Sequence, residues 1–225
     1  MENHRSSRLA GSSVAAALAV SVLLGGASAG RAQVGRLTQL PRPDACTTAT
    51  ADGINCRAGV GIEGAADLEV SPDGLNVYVA SYDSSSVAVF VRDFATGALT
   101  QLAGTAGCLA DDGDGVTCAD AESLFGASGV AVCPDGLHVY VASSVSGALT
   151  TFARDPFTGA LTQLPGADGC IAQDGGGGSP CADAIGPIAP SAVLLSPDGM
   201  NVYTAATRGD AVGVFARDPA TGVVT

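Results

Sequence analysis

The chain reads as all-β, assembled from near-copies of one small antiparallel sheet packed face to face, and three observations carry that reading. The first is internal repetition: Ala66 to Leu102 reads ADLEVSPDGLNVYVASYDSSSVAVFVRDFATGALTQL, and Ser128 to Leu164 and Ser191 to Thr225 repeat it with few changes. Pro72, Pro134 and Pro197 mark one fixed point, Tyr78, Tyr140 and Tyr203 a second, and Arg92, Arg154 and Arg217 a third. A fixed period means one supersecondary unit stacked on copies of itself. The second observation is that each unit divides into short apolar runs separated by turn residues, the pattern of a four-stranded antiparallel meander. The third is that in the first runs, Leu68 to Val70, Val130 to Val132 and Val193 to Leu195, apolar residues fall on both faces, Glu69 excepted. A sheet dry on both sides must be flanked by neighbours on both sides, which is how blades pack in a β-propeller.

Taken in order, residues 1–29 read as a secretory signal, with Arg5 and Arg8 at the charged start, an apolar run from Val14 to Leu24, and small residues at Ala27-Ser28-Ala29. The rival reading is a membrane anchor, for which the run is too short to span a bilayer comfortably. Residues 30–225 then form the repeat region. It opens on an orphan outer strand near 35–40, Gly35 to Leu40, which matches the ends of the later units at Leu99 to Leu102 and Leu161 to Leu164.

Loops with two cysteines follow, also in register with the repeat: Cys46 and Cys56, Cys108 and Cys118, Cys170 and Cys181. In an exported chain this reads as one local disulfide per unit. A metal site is the alternative, although zinc ligands usually stand closer together and are often joined by His. Each disulfide would close a loop of about ten residues and stabilise by roughly 2 to 3 kcal/mol, chiefly by restricting the unfolded chain. Cys133 is the odd cysteine and stands where the sister units have Ser71 and Ser196, so it reads as a buried spectator thiol.

Within the second unit the expected strands are Gly129 to Cys133, His138 to Ser143, Ala148 to Arg154 and Ala160 to Leu164. Pro134-Asp135-Gly136 makes the first turn, with Pro presetting φ, Asp bonding back to the main chain and Gly taking the left-handed position. Asp155-Pro156-Phe157-Thr158-Gly159 repeats that logic in a longer loop. Val145-Ser146-Gly147 makes the middle hairpin, whose equivalents vary freely, as an exposed tip would.

The bulk numbers narrow the function. The chain has 47% hydrophobic residues with no Trp, and all ten basic residues are Arg. Without Lys in this chain, Schiff-base chemistry and a P-loop lysine are excluded. A net charge of −12 argues against a nucleic-acid partner, because phosphate binding needs a basic face.

The SPDG-x-NVYVA pattern (Ser71 to Ala80, Cys133 to Ala142, Ser196 to Ala205), the RDxxTGALTQL hairpin and the interposed disulfide loop resemble the secreted β-propeller fold lactonase family, close to the so-called YVTN repeats. The resemblance covers nearly all of residues 35–225. It implies a ring of seven blades, of which about three (near 66–102, 128–164 and 191–225) are present, and hence an N-terminal part of a longer protein. It also implies a lactone-opening hydrolase of the 6-phosphogluconolactonase type, with acid, base and cationic groups gathered at the central channel.

Candidate catalytic residues are Asp67 and Glu69, on the innermost strand of the first unit, where the other units have Gly129 and Ala131, then Ala192 and Leu194. His138, in place of Asn76 and Asn201, is a third candidate, against which stands the reading of a solvated strand end. The recurring arginines read as structural bridges to a neighbouring Asp or blade. Asp111, Asp112 and Asp114 resemble a calcium loop in composition, without the alternation or closing Glu of an EF-hand. Gly175 to Gly178 lack the strand and helix that a phosphate cradle needs.

No cofactor is expected. Two functions remain: an exported scaffold binding a protein, polysaccharide or small-molecule ligand through loops on one face, or a lactone hydrolase whose site lies mostly in other blades. Either would be secreted or periplasmic, with no membrane span after signal cleavage.

Overall fold

The computed structural model describes residues 37–50, 54–113, 115–173, 181–185 and 189–225. The expected signal segment, Asp114, Gly175 to Gly178 and the first residues of the orphan strand lie outside them. Two compact units are distinguished, residues 1–38 and 39–225. Leu37 and Thr38, the described part of the first, are exposed and outside any strand. All that follows concerns the second unit.

The described elements are β-strands and short 3-10 turns. A parallel pair, β1 (Thr47–Thr48) and β2 (Arg57–Ala58), comes first. Sheet 1 holds β3 (Ala65–Val70), β4 (Asn76–Ser81), β5 (Ser86–Arg92), β6 (Leu99–Gln101), β7 (Cys108–Asp111) and β8 (Ala119–Ala121). Sheet 2 repeats it with β9 (Ala127–Val132), β10 (His138–Ser143), β11 (Ala148–Arg154), β12 (Leu161–Gln163), β13 (Cys170–Gln173) and β14 (Ala182–Ala184). Sheet 3 holds β15 (Pro190–Leu195), β16 (Asn201–Ala206) and β17 (Ala211–Ala216), and a single bridge joins Arg217 to Val224 beyond it.

The all-β propeller class is borne out, and the blade differs from a plain four-stranded meander at its outer edge. The third strand is long enough to take two partners. β6 pairs with Phe90 to Arg92, while β7 pairs with Ser86 to Ala88 and carries β8 in parallel beside it. Sheet 2 does the same with β12, β13 and β14. The disulfides Cys46–Cys56, Cys108–Cys118 and Cys170–Cys181 are formed, each clamping one of these loops. Residues 37–40 make no strand. Their counterparts β6 and β12 lie along a third strand, and among the described residues no strand precedes residues 37–40.

The turn chemistry is as the sequence predicts. Gly74, Gly136 and Gly199 take φ near +70° (73, 72 and 70°), and Asp73, Asp135 and Asp198 accept the amides of Leu75, Leu137 and Met200. The dry-on-both-faces expectation holds for the middle sheet. Tyr78, Val87 and Val89 of sheet 1 pack on Val130, Val139 and Phe152 of sheet 2. On the opposite side, Ala131, Tyr140 and Leu149 of sheet 2 pack on Val193, Val202 and Phe215 of sheet 3. A fully buried side chain such as Phe152 contributes roughly 1.5 to 3 kcal/mol by leaving water. In the flanking sheets β3 is largely exposed and β15 is buried only at Pro190 and Val193, because each has a neighbour on one side among the described residues.

Candidate functional site

Two groups of polar residues are held by this stacking: clasps between sheets, and carboxylates on the innermost strand. The clasps come from the recurring arginines. The Arg154 guanidinium, its side chain 1% exposed, leaves sheet 2 and enters sheet 1. There its Nε donates to the Tyr78 hydroxyl at 2.7 Å, and its NH2 donates to the Asp73 carboxylate and to Asn76 Oδ1, both at 2.7 Å. Its NH1 stays at home, donating to the Gly136 carbonyl at 2.9 Å. Arg217 repeats every contact one sheet later, with Tyr140 at 2.8 Å, Asp135 at 2.8 Å, His138 Nδ1 at 3.0 Å and its own Gly199 carbonyl at 3.0 Å. Charge-assisted bonds of this kind, four to each guanidinium and drawn from all three of its nitrogens, fix orientation as well as adding energy.

The tyrosines complete the clasp in the other direction. The hydroxyl of Tyr78 donates to the Gly159 carbonyl at 2.8 Å and that of Tyr140 to the Gly222 carbonyl at 2.7 Å. Burial, opposed by the adjacent guanidinium, pushes both phenols up to about 12, so they remain protonated donors. For Asp73 and Asp135 burial works against the charge, and the bonds from Ser71 or Cys133, from a backbone amide and from the arginine outweigh it. Both carboxyls are held below the usual range.

His138 belongs to this clasp, and the expectation of a solvated strand end is corrected: the residue is 6% exposed. Its Nδ1 faces Arg217 and it makes a backbone hydrogen bond with Thr221, as Asn76 faces Arg154 and donates to the Thr158 carbonyl at 3.3 Å. The ring thus works as a neutral tautomer accepting at Nδ1, an asparagine surrogate. Burial and then the Arg217 charge lower its pKa.

Cys133, Asp135 and His138 bring one ligand atom each within 4.8 Å of one another, a spacing that could suit a cation. The Arg217 guanidinium already supplies positive charge to Asp135 and His138, and Cys133 donates its thiol proton to Asp135. Burial, and then that bond, push the Cys133 thiol up, which keeps it protonated and unreactive.

On the innermost strand, Asp67 is spent on structure. Its Oδ1 accepts the Leu68 amide at 2.9 Å and its Oδ2 the Val130 amide at 3.0 Å, pinning the first strand of sheet 2 to that of sheet 1. Glu69 is half-buried, its carboxylate makes no hydrogen bond among the described residues, and it is held above the ordinary carboxyl range by burial and then by the Asp67 charge. The structure brings Asp67 and Glu69 together and leaves His138 elsewhere, in the interface of sheets 2 and 3.

The Asp111 carboxylate accepts the Leu124 amide at 3.0 Å, and among the described residues Asp111 and Asp112 join no cluster of possible ligands. Arg57, for which the sequence suggests no task, pairs with Asp44 at 2.6 Å across the base of the first disulfide loop, each standing just outside its bridging cysteines.

Sequence reasoning missed the glutamines. Gln101 accepts the Val60 amide and donates to the Val60 and Gly107 carbonyls, and Gln163 does the same to Glu122 and Gly169. The signal was the recurrence of Gln at 39, 101 and 163 in a strand end that has no other reason to hold one.

Stacked antiparallel sheets joined face to face by these clasps define a β-propeller-like fold. No protein-family model matches the chain, and no curated protein matches it. Among solved structures it is similar to the periplasmic gluconolactonase PpgL of Pseudomonas aeruginosa, with 28% identity and a TM-score of 0.50 over 70% of this chain and 36% of that one. It is also similar to a candidate 6-phosphogluconolactonase of Bacteroides uniformis, with 21% identity and a TM-score of 0.50 over 70% of this chain and 37% of that one. The chain thus spans little more than a third of either protein.

Proposed function

We propose that this chain is the scaffold of an exported, lactonase-like propeller that binds its ligand, a saccharide, small molecule or protein, without chemical turnover by the residues present here. One observation carries the reading: the ionisable groups that recur in each unit are consumed in clasps and turns, and Asp67 is consumed by the Val130 amide. What varies between units is left for recognition. Three disulfides suit an oxidising compartment, which supports export.

A second reading, lactone hydrolysis, is favoured by the 28% identity to PpgL and by the raised Glu69 carboxyl. Fold alone does not transfer an activity. The test is to follow acid release from a panel of sugar and aryl lactones at constant pH, beside equilibrium dialysis with the same sugars and their acids. Saturable binding with no acid release above background is the expected result. Acid release that Glu69→Gln abolishes would replace the scaffold reading with the hydrolase, and an absence of both binding and release would overturn both.

A further inference from the structure

The first turn of each unit sets three polar side chains on the same backbone: Ser71, Asp73 and Asn76 in the first unit, Ser196, Asp198 and Asn201 in the third, and Cys133, Asp135 and His138 in the second. The bonds that shape the turn are the same in all three. Ser71 Oγ accepts the Asn76 amide at 2.9 Å, Ser196 Oγ the Asn201 amide at 3.0 Å, and Cys133 Sγ the His138 amide at 3.0 Å. Each of these side chains also donates to its aspartate. The backbone therefore does not demand cysteine and histidine, since serine and asparagine do the same work there. What the second unit changes, at both positions at once, is the donor set. A hydroxyl and an amide become a thiol and an imidazole, the two side chains best suited to a thiophilic metal ion, beside a carboxylate that every unit keeps.

The geometry agrees with that chemistry. One ligand atom each from Cys133, Asp135 and His138 lies within 4.8 Å of the others. Donors bound to one zinc ion at about 2.0 to 2.3 Å stand roughly 3.5 Å apart, so small rotations of the three side chains close the set. The His138 ring also bonds to the backbone of Thr221, and a second bond of that kind fixes the tautomer and orientation of a metal-binding imidazole. Cys133 and His138 are buried, while the Asp135 side chain is 33% exposed, so the cluster is dry within and opens to solvent at one ligand. The group in the way is a single nitrogen of Arg217, whose NH2 donates to Asp135 at 2.8 Å and faces His138 Nδ1 at 3.0 Å. Its Nε and NH1 are held separately, by the Tyr140 hydroxyl and the Gly199 carbonyl. The guanidinium can give up two bonds and keep two.

We propose that Cys133, Asp135 and His138 form a site for a thiophilic divalent cation of the zinc class, which takes the place of Arg217 NH2. Binding breaks the Cys133 S–H bond, whose proton leaves to solvent. Bonds to the ion then form from the thiolate, from an Asp135 oxygen and from the lone pair of His138 Nδ1, with water completing the set. No oxidation state changes. Thiolate and carboxylate neutralise the ion, and the guanidinium beside it is a built-in competitor that limits the affinity. The turns of the first and third units, with the same backbone and the same aspartate, lack the thiolate and the imidazole and do not bind it.

The experiment titrates the 225-residue chain, stripped with EDTA, with Co²⁺ as a spectroscopic stand-in for Zn²⁺. Six of the seven cysteines are in disulfides, so thiolate-to-cobalt charge-transfer absorption in the near ultraviolet reports Cys133 alone. The wild type is expected to develop this band up to one ion per chain and to lose it when Zn²⁺ is added. Cys133→Ser and His138→Asn put back the residues of the sister units and so preserve the turn. The first should abolish the band, and the second should weaken binding by at least about a hundredfold, the upper end of what loss of an outer partner of a metal ligand costs. Arg217→Gln removes the competing charge and should tighten binding about tenfold. Circular dichroism checks that each variant folds, and the two restorations decide the matter should Arg217→Gln not fold. A wild type without the band, a band that Cys133→Ser or His138→Asn leaves unchanged, or a folded Arg217→Gln that binds no more tightly than the wild type overturns the proposal.

Discussion

His138 shows how far a side chain's role is set by its neighbours. Free imidazole titrates near pH 6.5, so it invites a reading as acid or base. Here the groups facing it are Arg217, Asp135, Asp218 and, through Asp135, Cys133. Burial and Arg217 favour the neutral ring and outweigh the two carboxylates. The folded pKa therefore lies below the unfolded one, and the unfolded state binds the extra proton first as pH falls. The contribution is complete above about pH 6.5 and is lost as pH drops from there through the folded value. Asp73 and Asp135, also depressed, hold their contributions until pH falls below about 3.9. His138→Asn restores the residue that the sister units use, so the clasp should survive. Denaturant titrations between pH 7 and 4.5 are expected to show the wild type losing stability as pH falls below about 6.5 and the variant nearly flat. Equal slopes would mean that the ring does not titrate on unfolding.

At the scale of the element, two turns of the same shape carry different loads. Gly97 and Gly159 both have φ of +81°. A Cβ on Gly97 would meet only the end of Arg92, at 4.0 Å, whereas one on Gly159 would run into the Asn76 side chain, whose clasp crosses this point. Gly97→Ala should cost about 1 kcal/mol, the strain of the left-handed position. Gly159→Ala should cost that plus the displacement of Asn76, about 2 to 3 kcal/mol in all. Equal midpoints in urea for the two variants would show that Asn76 yields freely. The turns themselves were legible because Pro, Asp and Gly each act on their own backbone, and the first three strands of each unit were legible because the turns bound them. The split fourth strand was not. β7 and β8 are short, one partner is parallel, and no turn residue announces a parallel pair held by a disulfide. Asp73 and Asp135 were read only as turn formers for a related reason: their second carboxylate oxygen serves a residue in the next unit, and a local pattern does not report a partner some eighty positions away.

At the scale of the molecule, the repetition means that each sheet is held by its neighbours, so stability should be divisible in a way an ordinary core's is not. Arg217 ties sheet 3 to sheet 2, and Arg154 ties sheet 2 to sheet 1. Removing one partner of a buried pair strands the other, typically at about 3 to 5 kcal/mol. The partly exposed Asp135 can recover water while His138 Nδ1 and the Tyr140 hydroxyl cannot, which places Arg217→Ala near the lower end. The loss should be local. Amide hydrogen exchange is expected to accelerate in Pro190 to Ala216 while Asn76 to Arg92 keep their protection, and Arg154→Ala should instead release Ala65 to Arg92. Arg92→Ala should leave exchange nearly unchanged, because among the described residues that guanidinium holds only the Gly74 carbonyl. The same residue type at the same place in three copies of one unit would then have two different costs. The difference measures what a neighbouring sheet adds, and uniform acceleration across all three sheets in any of these variants would show instead that the stack unfolds as one cooperative body.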